Sequence, residues 1–227
     1  MRNATLLTLG MLAGPLFIIV SLILAFTREG FDIVRHPASL LALGEFGWIE
    51  IANFVVSGIL FIALAIGLRR ALTTGVGSRW LPILFGLVGI AMIIGGAFVA
   101  DPALGFPPGT PAGMPKQMSW HSMVHGFAPI LGFLALIAAF FIIARRFSSK
   151  GEQAWMWVSI VVGVATLVLS SVPNITADWE IGRFNFLPLW LGVTLGYAYA
   201  SLVVWKLKRE LEVLDTRGTT HPKMEAR

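Results

Sequence analysis

Six continuous apolar runs, separated by short polar stretches, set the pattern of the chain: 6–26, 48–68, 81–100, 121–144, 155–174 and 186–205. Each approaches the roughly 20 residues a helix needs to cross a hydrocarbon core of about 30 Å. The runs do not alternate polar and apolar positions, as a strand with one wet face would. Lipid also offers no partner to open backbone groups, which leaves helices as the spanning element. The pattern predicts an all-α, polytopic membrane protein. A bundle of six transmembrane helices fills residues 1–207, and a charged cytoplasmic tail follows over 208–227. The first run is too long for the apolar stretch of a signal peptide, and Ala25-Phe26-Thr27-Arg28 offers no small-x-small cleavage site, so it is read as a retained span.

The polar stretches between the runs orient the bundle. With the N-terminus cytoplasmic, the inner segments 1–5, 69–80, 145–154 and 206–227 carry 13 of the 17 lysines and arginines. The outer loops carry Arg28, Arg35, Lys116 and Arg183. This asymmetry across short loops puts both termini inside, in a plasma membrane. Trp48, Trp80, Trp120, Trp155 and Trp205 fall at the span ends, where an amphipathic ring prefers the headgroup level. Of the two long outer loops, 101–119 opens with a Pro- and Gly-rich stretch that cannot be helical. In the other, Pro37-Ala38-Ser39-Leu40-Leu41-Ala42-Leu43 suits a short helix lying in the interface, with Pro37 in its first turn.

Composition narrows the classes further. The chain is 56% hydrophobic and 13% charged, with a mean hydropathy of +0.80, whereas soluble domains carry about a quarter charged residues. Absence of cysteine excludes disulfides, thiolate metal sites, iron–sulfur clusters and a cysteine nucleophile. The net charge of +5 is a topology signal and an attraction to anionic headgroups. No nucleic-acid partner is implied; membrane lipids are the expected partners.

Within the spans the polar residues are few and biased in depth. Glu50, Asn53 and Ser57 share one helix face, His121 and His125 another, and Thr166, Ser170 and Asn174 a third. Asp101 ends the third span and Asn185 precedes the sixth. Glu50, Asp101, His121, His125, Asn174 and Asn185 all fall in the outer halves of their helices. Polar groups are costly in lipid and turn toward other helices or water. The depth bias therefore predicts an outward-facing polar cavity, roofed by loops 27–47 and 101–119. Its expected ligand-binding residues are Glu50, Asn53, Asp101, His121, His125 and Asn174, with Asp32, Arg35, His36, Asp178 and Glu180 overhanging. For the histidines taken singly, capping a helix or pairing with Asp101 is an equal alternative. Gly10-x-x-x-Gly14 and Gly192-x-x-x-Gly196 read as close helix contacts within the bundle.

Three stretches carry a family resemblance: Arg35-His36-Pro37-Ala38-Ser39-Leu40-Leu41-Ala42-Leu43-Gly44 with Gly47-Trp48 and Asn53-Phe54, Asp101-Pro102-Ala103-Leu104-Gly105-Phe106-Pro107-Pro108-Gly109, and Trp120-His121-Ser122-Met123-Val124-His125. Together they resemble the multi-pass membrane proteins grouped as domain of unknown function 998. The resemblance implies a six-helix bundle and no particular activity.

Two functions compete on the residues. An outward cavity above an apolar bundle suits binding or sensing of a lipid or other amphiphile, and needs no further residues. The alternative is a metal-dependent membrane hydrolase, with His121, His125 and Asp101 as ligands; zinc is the metal such a set would take. An uncoupled transporter of a neutral or lipidic molecule is a third reading, because the span centres hold none of the charges an ion-coupled carrier uses. Haem is not expected, since two histidines four apart on one helix cannot both ligate a haem held between helices.

Overall fold

The computed structural model describes residues 2–176 and 183–220, except the side chains of Arg2, Asn174 and 213–220. Its described part is helical: α1 Arg2–Thr27, α2 Gly47–Ala71, α3 Trp80–Ala97, α4 Trp120–Ser149, α5 Gln153–Ile175 and α6 Leu187–Thr220. All six are long and apolar enough to span a membrane. The helices follow the expected runs closely. α4 and α6 continue further at their C-terminal ends, because Arg145, Arg146 and Lys206 to Glu212 are good helix formers once outside lipid.

Each helix packs on its neighbours in sequence, and α6 closes the ring on α1. The short connections 72–79 and 150–152 make α2–α3 and α4–α5 antiparallel hairpins, and the bundle has two distinct ends. At one, the basic end, Arg146 Nη1 donates to Val76 O at 2.9 Å. There Lys206 bridges Glu152 at 2.6 Å and Glu210 at 3.1 Å, and Lys150 pairs with Glu210. Large exposed apolar side chains such as Leu12, Ile19, Ile59, Phe127 and Val161 cover the outside of the ring. In water such a coat would drive aggregation; against acyl chains it is matched.

Glycines set the closest approaches. A Cβ at Gly58 would lie 2.7 Å from Gly89 O, and one at Gly89 would lie 2.6 Å from Gly58 O, so α2 and α3 touch backbone to backbone. Gly14 receives Tyr197 and Gly192 receives Leu169. The expected small-residue stripes are thus contacts inside the ring.

The other end is capped. Pro37 precedes a 3-10 helix, Ala38–Ala42, whose Leu40 and Leu41 are buried. This short helix docks on α1 and α2 and its apolar side chains face the bundle, so it is a lid component. Arg28 Nη2 donates to Leu43 O at 2.7 Å and Nη1 to Leu41 O at 3.3 Å, fixing the loop after α1. Arg35 Nη2 reaches Ala112 O at 2.7 Å, tying the two long loops together.

Candidate functional site

The polar residues of the capped half fall into separate groups. The first lies between α1 and α2. Glu50 is fully buried; Ser21 Oγ donates to its Oε1 at 2.8 Å and Asn53 Nδ2 to its Oε2 at 3.1 Å. Asn53 Nδ2 also reaches Phe17 O at 3.1 Å and Ser21 Oγ at 3.2 Å. None of the ion pairs among the described residues includes Glu50. Asn53 Oδ1 and the Ser57 hydroxyl, also buried, have no hydrogen-bond partner.

The second group joins the end of α3 to the start of α4. Ser119 is the N-cap of α4, its Oγ accepting from Ser122 N–H at 3.2 Å. Asp101 accepts from Ser119 N–H and Oγ–H, both at 2.7 Å, and these bonds, the hydroxyl first, hold its carboxyl below the usual carboxylate value. The two imidazoles serve the other helix end. His121 Nδ1 donates to Val99 O at 2.9 Å, and His125 Nδ1 to Phe98 O at 2.7 Å and Gly95 O at 3.1 Å. His125 thereby satisfies carbonyls at the C-terminus of α3, and His121 one just beyond its C-cap Phe98. Among the described residues no group of three or more His, Asp or Glu side chains gathers as a metal site needs. His121, His125 and Asp101 instead form a hydrogen-bonded helix clasp.

A third polar centre was only partly visible in sequence. His36, 2% exposed, accepts Asp32 N–H on Nδ1 at 2.9 Å and donates Nε2–H to Leu104 O at 3.0 Å. Burial pushes its imidazole below the ordinary value, against the opposing hydrogen bond to Leu104. Its carbonyl accepts Trp190 Nε1–H at 3.0 Å, which fastens the lid to α6. Phe31 and Phe106 pack against the ring. A lone loop histidine carries no periodicity, so spacing could not have announced this role.

Beneath the lid lies a cavity of about 800 Å³. Its walls are mainly apolar: Phe17 and Phe54, Ala91 and Gly95, the α4 stretch from His125 to Ile137, and parts of α5 and α6. Of the six expected ligand-binding residues, His125 alone is shown lining it. Glu50, Asn53, Asp101 and His121 are not among its walls. The Asn174 side chain, Asp178 and Glu180 lie outside the described residues. The single polar vestibule thus gives way to two local networks beside an apolar hollow. Polar groups at this depth must be hydrogen-bonded, and a neighbouring helix end or hydroxyl was nearer than a shared cavity. Ser170 shows the same logic: it borders the cavity, but its hydroxyl donates to Leu167 O at 3.1 Å. Asn185, at the entry to α6, is exposed and accepts Leu187 N–H at 3.1 Å.

Six apolar helices in a closed ring, with an oily exterior, define a multi-pass integral membrane protein. The family model described as Protein of unknown function (DUF998) matches residues 11–207, and the chain belongs to that family. No curated protein and no solved structure matches it.

Proposed function

We propose that the protein binds a lipid or other amphiphile taken sideways from the membrane, with its basic end toward the cytoplasm. One observation carries this reading. Ile130 and Leu134 on α4, and Leu167 and Ile175 on α5, line the cavity and are also 43% to 77% exposed, which supports an opening beside them. The mouth therefore lies in the seam between α4 and α5, at a depth where acyl chains are the solvent. α5 suits such a seam: 22% of its spanning window is buried, against 44–50% for the other helices. Binding is favoured over passage because the basic half is closed by Phe61, Leu64, Phe85, Phe140 and Phe147, each under 2% exposed.

The test is mass spectrometry of lipid retained through purification. Leu134→Trp, which blocks the mouth, is expected to lower bound lipid several-fold. Phe141→Trp, exposed on the same helix but away from the cavity, is expected to leave it unchanged. Equal lipid in wild type and both variants overturns the reading.

A further inference from the structure

The hydrogen-bonding chemistry of the cavity selects among amphiphiles. Both partners of His125 Nδ1 are backbone carbonyls, which only accept. Nδ1 therefore carries the hydrogen, and in the neutral ring Nε2 is left as a bare acceptor. His125 is 8% exposed, borders the cavity, and makes no other hydrogen bond among the described residues. Of the other polar walls, Trp190 Nε1–H is spent on His36 O and the Ser170 and Ser171 hydroxyls on Leu167 O, while Ser39 and Tyr197 keep hydroxyls with no partner among the described residues. No Asp, Glu, Lys or Arg borders the cavity among the described residues.

An anionic phosphodiester headgroup would find no Lys or Arg there. Having only acceptors itself, it would meet an acceptor at Nε2 of the neutral ring. A hydroxyl headgroup fits, because its O–H completes the open acceptor at Nε2 and its oxygen can accept from a free hydroxyl such as that of Tyr197 or Ser39. Depth agrees with this. His125 is one turn and a half from the capped start of α4, whereas Gly132, Ile137 and Leu167 lie further toward the centre. We propose that the ligand is an uncharged amphiphile with a hydroxyl headgroup, donating to His125 Nε2, its hydrocarbon chain lying between α4 and α5. This rests on the reading of the cavity as a lipid site.

The experiment is native mass spectrometry of the full chain with four probes: oleyl alcohol, oleyl methyl ether, dioleoylglycerol and dioleoylphosphatidylcholine. Wild type is expected to hold the alcohol about five- to tenfold more tightly than the ether, the worth of one ordinary hydrogen bond. Dioleoylglycerol is expected to outcompete the phosphatidylcholine. Whichever of the alcohol and dioleoylglycerol binds tighter identifies whether one chain or two is accommodated. His125→Asn keeps an N–H near the α3 carbonyls but ends short of Nε2, and is expected to equalise alcohol and ether. If that variant does not fold, the alcohol-to-ether ratio of wild type decides alone. Equal binding of alcohol and ether to wild type, or preference for the phosphatidylcholine, overturns the headgroup inference while leaving a lipid site. No binding of any probe, or binding indifferent to Leu134→Trp, removes the lipid site itself and the inference with it.

Discussion

In the basic half of the ring, Phe61, Leu64, Leu68, Phe85, Phe140, Ile143, Phe147 and Val203 fill the centre, each under 2% exposed. In the capped half α3 and α4 place Ala91, Gly95, Gly126, Ala128 and Gly132, among larger neighbours such as Met92 and Phe133, along a cavity of about 800 Å³. Both centres are lined mainly by apolar side chains. They differ in side-chain volume. Where large residues meet, the bundle closes; where small ones meet, space remains, bordered on the lid side by Pro37, Ala38 and Ser39. Hydrophobicity placed the helices in the membrane, and volume decided which end of the ring can hold a guest.

The sharpest way to break this contrast is to hollow out the closed half. Phe140→Ala removes a fully buried ring and is expected to cost about 3–5 kcal/mol, since the surrounding helices collapse only in part. Reversible denaturation in mild detergent reads it; a loss below about 1 kcal/mol would mean that this half is not tightly filled.

A smaller effect compares one substitution in two places. Gly89→Ala puts a methyl 2.6 Å from Gly58 O and is expected to cost about 1–3 kcal/mol through overpacking. Gly126→Ala meets nothing within 4 Å, and is expected to stabilise by about 0.5–1 kcal/mol through lower backbone entropy in the unfolded chain. Opposite signs in thermal unfolding support the volume contrast, and equal signs refute it.

The smallest effect concerns the lid. His36 must accept Asp32 N–H on Nδ1, so it is neutral in the closed lid. Its value is held below 6.5 by burial, so below 6.5 the folded chain binds fewer protons than the unfolded one. This contribution to stability is complete above about pH 7 and is lost as pH falls through about 6.5 and below. Hydrogen exchange of residues 28–46, corrected for its intrinsic pH dependence, is expected to accelerate from pH 7.5 to pH 5 in wild type. A flat response is expected in His36→Gln. An identical pH response in both would assign the effect to another group.

The helices were legible because a spanning segment must be apolar over its whole length, a local condition that a one-dimensional pattern reports. The faces were legible too: Glu50, Asn53 and Ser57 are buried together, and the paired histidines share a clasp. The shared vestibule was less legible. Among the described residues Glu50, Asp101 and His121 do not border the cavity beside His125, and each of the four is bonded to Ser21, Ser119 or a carbonyl at or just after the end of α3.

Membrane insertion, the number of spans and the small-residue contacts follow from side chains considered one segment at a time. The ring order, the backbone contact of Gly58 with Gly89, the seating of His36 under Phe31 and Phe106, and the hollow beside His125 depend on packing between segments distant in sequence. Hydrogen bonds and voids form between neighbours in space. Helices alike in hydropathy can be arranged in many ways, and only their packed shapes select one.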